Sequence, residues 1–139
     1  MIVLDTNVLS EEIRPSPSPR VLRWFEEQDV LSVFTTAVTQ AEMLYGLECL
    51  PVGRRRSALQ LAIEKMFDEE FAGRILPFDE DAARAFAKIV AVRDALGRPI
   101  SQPDGMIAAI ARSRHAALAT RNVADFQDCG LRIIDPWAV

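Results

Sequence analysis

The chain has 139 residues, 50% of them apolar and 26% charged, which fits one ordinary globular domain, residues 1–139, and leaves no room for a second. A net charge of −4 argues against a protein held to nucleic acid by bulk electrostatics, although a local basic stripe could still engage a phosphate backbone. Arg outnumbers Lys fourteen to two, so any such contact would be mostly guanidinium. In chain order, the apolar run Ile2-Val3-Leu4 predicts a buried first strand that ends in Asp5-Thr6-Asn7. A Pro-punctuated stretch, 10–19, predicts a helix end and loop before an amphipathic segment at 20–27. The β-branched run 30–35 predicts a second strand. From Thr36 the period becomes helical, with Val38, Ala41, Leu44, Tyr45 and Leu47 as the expected buried stripe and Pro51 and Gly53 as the stop. Ala58, Leu59, Ala62, Ile63, Met66 and Phe67 mark a further helix, and 75–78 a short extended piece. Asp79 should cap a helix whose stripe is Ala82, Ala83, Phe86, Ile89 and Val90, and Ser101 should open another with Met106, Ile107, Ile110 and Ala111 inward. Strands at 116–119 and 131–134, separated by a short helical turn at 123–126, complete the pattern. Strands alternating with helices predict an α/β fold with a mostly parallel central sheet and helices on both faces.

Cys49 and Cys129 lie far apart with no ligand spacing around them, which favours free thiols in a reducing compartment. There is no basic leader with a cleavage site and no apolar run long enough for a bilayer, so the expected location is the cytoplasm, with no membrane contact.

Four carboxylates need a reason. Asp5 ends a first strand, where open α/β sheets place their ligands, although it could equally be a helix cap. Glu42 falls on the apolar stripe expected of its helix, where a lone ionised carboxylate is costly, unless it reaches water or an Arg at the edge of that stripe. Asp104 stands in Ser101-x-x-Asp104 and could simply complete a capping box, while Asp125 could be a turn residue. Together they are more telling, because all would gather along one rim of a parallel sheet without a matching Lys or His. Such a group repels itself unless a hard cation holds it, and an oxygen-only pocket points to Mg²⁺ or Mn²⁺.

These residues stand in blocks whose order and spacing resemble PIN-domain ribonucleases, in particular VapC-type toxins of type II toxin-antitoxin modules. The blocks are Ile2-Val3-Leu4-Asp5-Thr6-Asn7-Val8-Leu9-Ser10, Ala41-Glu42-Met43-Leu44-Tyr45-Gly46, Gly73-Arg74-Ile75-Leu76-Pro77-Phe78-Asp79, Pro103-Asp104-Gly105-Met106-Ile107-Ala108-Ala109 and Thr120-Arg121-Asn122-Val123-Ala124-Asp125-Phe126, followed by Pro136-Trp137. The third block is similar to the branch that includes FitB-like toxins. The resemblance implies a single PIN domain acting as a Mg²⁺-dependent endoribonuclease, with Mn²⁺ as an alternative ion. It carries the catalytic acids over to Asp5, Glu42 and Asp104, with Asp5 and Asp104 as metal ligands. The fourth acid falls on Asp125, one turn beyond the Asn122 that occupies the position where some members have Asp.

Thr6, Asn7, Thr120 and Asn122 would orient carboxylates and waters around the ion. Arg54, Arg55 and Arg56 form the densest basic cluster, and Arg112, Arg114 and Arg121 are expected to flank the rim; all are candidate RNA contacts, with a solvated face as the alternative for the Arg54–Arg56 run. His115, the only histidine, is read as a helix-terminal residue outside the chemistry. The implied partners are RNA, a cognate antitoxin that makes any DNA contact, and a second toxin copy in a homodimer or toxin-antitoxin hetero-oligomer. Trp24, Phe25, Leu47 and Leu50 are candidate interface residues that could also be core. A catalytically weak protein that keeps the fold and the antitoxin is the competing reading, kept open by Asn122. A signalling receiver domain is set aside because Lys65 and Lys88 fall in helices, and a flap-type nuclease because the chain lacks an extra helical clamp.

Overall fold

The computed structural model describes residues 1–139. Five strands, β1 (Ile2–Leu4), β2 (Val33–Thr36), β3 (Ile75–Leu76), β4 (Ala117–Ala119) and β5 (Ile133–Ile134), form a parallel sheet in the order β3-β2-β1-β4-β5. Six helices cover it: α1 (Thr6–Glu12), α2 (Pro19–Glu26), α3 (Ala37–Glu48), α4 (Arg54–Lys65), α5 (Glu80–Ala95) and α6 (Gln102–Ser113). Alternation along each strand feeds two cores. Val3, Leu118 and Leu76 face one layer with α5 and α6, while Leu4, Ala119 and Val33 face the other with α1 to α4. This is the expected α/β architecture, and no helix is long and apolar enough to cross a membrane.

Small residues bring α6 close to the sheet. Ala108, Ala109 and Ala111 are fully buried against the layer that contains Leu118. At Gly105 a Cβ would meet the Phe86 ring at 3.0 Å, so a larger residue there would push the ring aside and loosen the contact of α5 with α6. The Ser101 hydroxyl caps α6 by accepting from Asp104 N at 3.3 Å, and Asp79 caps α5 by accepting from Ala82 N at 3.0 Å.

Four details depart from the expected pattern. The first half of the 30–35 run is a 3-10 turn, Val30–Ser32, because the Asp29 carboxylate accepts from Leu31 N and fixes a cap. The α3 stripe is rotated: Thr39, Met43 and Leu47 are buried, whereas Leu44 and Tyr45 are 42% and 72% exposed. Apolar residues surround most of that helix, so periodicity alone could not choose its face. α4 begins at Arg54 with Ala58 exposed, and its end widens into a π turn that buries Met66 and Phe67. In α5 the stripe omits Ala83, which is exposed, and ends in a buried guanidinium, Arg93. Trp24 and Leu47 prove to be core residues, with Phe25 and Leu50 half-buried.

Candidate active site

Asp5 follows β1 directly and serves as the N-cap of α1, so both the strand-end and the cap readings hold for it. Its Oδ1 accepts from Thr6 N at 2.8 Å; its Oδ2 accepts from Thr120 Oγ1 at 2.8 Å and from Asn7 Nδ2 at 3.1 Å. The carboxylate is 3% exposed. Burial pushes its pKa up to about 6; the hydrogen bonds from Thr120 and Thr6 pull the other way, and the charges of Asp104 and Glu42 add to the rise.

The other acids arrive on separate elements. Thr36 caps α3 by accepting from Thr39 N, so the helix starts at the tip of β2 and its second turn brings Glu42 to the rim. Thr6 Oγ1 donates to Glu42 Oε1 at 2.8 Å and lies 3.1 Å from Thr39 Oγ1. Glu42 is exposed, so its need for a partner does not come from burial on an apolar stripe as expected, but from the acids beside it. Asp104, in the first turn of α6, is half-buried. Its pKa is raised by burial first, then by Asp125 and Glu42, against the Ser101 bond and the Arg93 charge. The reciprocal half of a capping box is absent: Asp104 donates its N–H to the Ser101 hydroxyl, but its carboxylate does not accept from the Ser101 backbone N–H.

Asp125 lies in the 3-10 turn Val123–Phe126, held from below by Phe126, which is 1% exposed. Its carboxylate is exposed and makes no hydrogen bond within the chain, and neither does the Asn122 amide side chain. Arg93 fixes this turn, donating to Asp125 O at 2.7 Å and Gln127 O at 3.0 Å. Arg93 is not among the residues expected at the site. It continues the Ala82-Phe86-Ile89 stripe one turn further, and a charged residue on such a stripe is the available signal.

Asn7 and Thr120 lace the strand tips together. Asn7 Oδ1 accepts from Arg121 N at 3.1 Å, and Thr120 Oγ1 accepts from Asn122 N at 3.1 Å while donating to Asp5. All eight residues expected at the centre therefore lie on one rim. The basic candidates divide. Arg121 stays at the rim with its guanidinium 5.0 Å over the Trp137 ring, and Arg55 lines a groove beside Thr6 and Glu42. Arg54 is exposed at the start of α4, but Arg56 is spent on Leu50 O and Glu48. Arg112 and Arg114 do not flank the rim: α6 starts at the rim and runs away from it. Arg112 therefore lies beside Ala117 at the start of β4, and Arg114 pairs with Asp79 at 3.5 Å. His115 sits just past α6 with φ 55°, far from the acids.

None of the four acids forms an ion pair, although Glu11, Glu48, Asp79, Asp81 and Asp128 all do. As placed, no three His, Cys, Asp or Glu side chains stand close enough together to hold a metal ion. Waters would have to complete the coordination of any hard cation held by these oxygens.

Residues 2–129 match the PIN domain family. The VapC ribonuclease Y4jK of Sinorhizobium fredii is 42% identical over 137 residues, spanning 99% of this chain and 98% of that protein. Toxin FitB of Neisseria gonorrhoeae is 38% identical over 137 residues, 99% of each. The solved structure of FitAB bound to an IR36 DNA fragment is similar at a TM-score of 0.93 and 38% identity, covering 100% of this chain and 97% of that one. With the parallel sheet and the acidic rim, these matches establish that the chain belongs to the PIN domain family, among the VapC- and FitB-type toxins of toxin-antitoxin modules.

Proposed function

We propose that the chain is a Mg²⁺-dependent endoribonuclease that hydrolyses RNA phosphodiester bonds at the acidic rim. The observation that carries this reading is the gathering of Asp5, Glu42, Asp104 and Asp125 without any Lys or Arg ion pair. Asp5 and Asp104 would hold the ion, with Asp125 as the fourth acid and Asn122 as a neutral ligand or water-positioning group. When bound, the ion would lower the pKa of a water and offset phosphate charge.

The side chains do the rest. Thr120, Asn7 and Thr6 N fix both Asp5 oxygens, so the carboxylate keeps one orientation. Thr6 holds Glu42 with its second oxygen free to take the proton of an attacking water. Water adds to phosphorus, the bond to the leaving ribose oxygen breaks, and that oxygen leaves with a proton from solvent. Arg121 and Arg55 are the rim cations best placed to steer RNA.

The antitoxin would occupy the groove of about 590 Å³ between α1, α3 and α4, lined by Ile13, Met43, Leu50 and Leu59 and opening on Thr6 and Glu42. A segment there would cover the acids, which makes inhibition and binding one event, and any promoter contact would belong to the antitoxin. The exposed α3 face, with Val38, Ala41 and Tyr45 beside Pro103 and Met106, is the surface for a second copy. Purified antitoxin-free protein should cut cellular RNA into discrete fragments with Mg²⁺ or Mn²⁺ and not with EDTA, and Asp5→Asn should abolish the cutting. Folded protein that binds antitoxin but leaves RNA intact would move the reading to a catalytically weak interaction protein.

A further inference from the structure

At the opposite end of the sheet, where the strands begin, three elements enclose a pocket of about 550 Å³. Arg112 enters from the last turn of α6, His115 from the left-handed turn after it, and Arg132 from the approach to β5; Ala117, Gly130 and Leu131 complete the wall. No carboxylate lines it. The nearby acids are already engaged, Asp79 with Arg114 and Asp128 with Arg98, whereas Arg112, His115 and Arg132 have no ion pair.

Arg112 is also held in place. A Cβ at Gly130 would stand 3.3 Å from its Cζ and Nε, so the guanidinium lies flat on the glycine, whose φ of 73° further disfavours any side chain there. Its Nη1 donates to Cys129 O at 3.5 Å, leaving most of the fork unused. The C-terminal end of α6 offsets only about half a charge, which the two guanidiniums exceed.

We propose that this pocket binds a phosphate group, with Arg112 and Arg132 as the charged clamp and His115 as an added donor. Planar guanidiniums match phosphate oxygens in bidentate fashion, and the volume falls in the range of small-ligand sites, roughly 300–1,000 Å³. The phosphate could belong to a free nucleotide or to an RNA strand passing the far end of the domain; the proposal stands whether or not the acidic rim cleaves RNA.

The test is an NMR titration of the full chain in EDTA, which keeps the acidic rim out of the measurement. The probes are inorganic phosphate, a 5′-mononucleotide and a short 2′-O-methyl RNA. Shifts should centre on Arg112, His115 and Arg132. Arg132→Glu, an exposed position, should weaken binding about tenfold, the size of one lost charge-assisted contact, and Arg112→Gln, checked for an unchanged thermal melt, at least as much. Tighter binding of the RNA than of the mononucleotide assigns the site to a strand; equal binding assigns it to a free phosphate. No shifts at these residues with any probe, or wild-type affinity in both variants, overturns the proposal.

Discussion

The two ends of the parallel sheet carry opposite charge. At the strand tips Asp5, Glu42, Asp104 and Asp125 meet with no basic ion-pair partner, while at the strand starts Arg112, His115 and Arg132 meet with no acidic one. The chain forms five ion pairs, among them Arg14 with Glu11, Arg56 with Glu48 and Arg84 with Asp81. Most such pairs are exposed and worth little, and most charged side chains stand without one; what sets the two ends apart is that charges of one sign meet there. Like charges gathered this closely repel one another unless a counter-charge joins them. The acidic end differs in rigidity as well, since Asp5 is buried and bonded through both oxygens, whereas the basic end is open and only Arg112 is braced.

Asp5→Asn should break the acidic end most severely. It keeps the cap geometry and removes the charge, and we predict about a thousandfold loss of RNA cleavage, ~4 kcal/mol of transition-state stabilisation, measured as an initial rate in Mg²⁺. Arg93→Leu should follow. It strands Asp125 O and Gln127 O in a part-buried turn and should cost about 1–3 kcal/mol in denaturant unfolding. Cleavage should fall further than stability alone explains, because the Asp125 turn loosens. Thr120→Val removes the donor to Asp5 Oδ2 and the acceptor for Asn122 N with little change of shape. Its cleavage should drop roughly 10–100-fold, the usual range for partners of metal-binding carboxylates.

The smallest effect concerns a crowded acid outside both ends. Glu12, with a pKa pushed up to about 7 by burial and then by Glu70, sits beside Phe25 and Phe71. Its folded pKa exceeds the unfolded value of 4.5, so its contribution to stability is full below pH 4.5 and is lost as pH rises toward 7. Glu12→Gln should therefore melt a few degrees above wild type at pH 8 and level with it near pH 4. At any one pH, Glu12→Gln should cleave RNA as well as wild type. A metal effect on Glu12 would mean that acid crowding alone, without the Asp5 lacing, makes a site.

The parallel sheet and the gathering of acids on its rim were legible because buried parallel strands and helix caps leave strong local marks, such as Ile2-Val3-Leu4-Asp5 and Ser101-x-x-Asp104; the order β3-β2-β1-β4-β5 was not. The face of α3 was not, since Leu44 and Tyr45 are as apolar as Met43 and Leu47, and only the neighbours α1 and α4 decide which side is covered. Arg112 was misplaced for a related reason. Its closeness in sequence to the rim strand β4 suggested closeness in space, but α6 runs the length of the domain from Asp104 before the chain turns back. The burial of Arg93 could be read from its place on the α5 stripe, but its partners could not, because they are backbone carbonyls of a turn some thirty residues away.

The most direct test is divalent-ion binding to metal-free protein, read by Mn²⁺ electron paramagnetic resonance with Mg²⁺ competition. Wild type should bind, Asp125→Asn should bind more weakly, and Asp5→Asn should not bind in the same range. Wild-type protein that takes up no ion, or Asp5→Asn that binds as well as wild type, would contradict the assignment of the acidic rim as the metal centre.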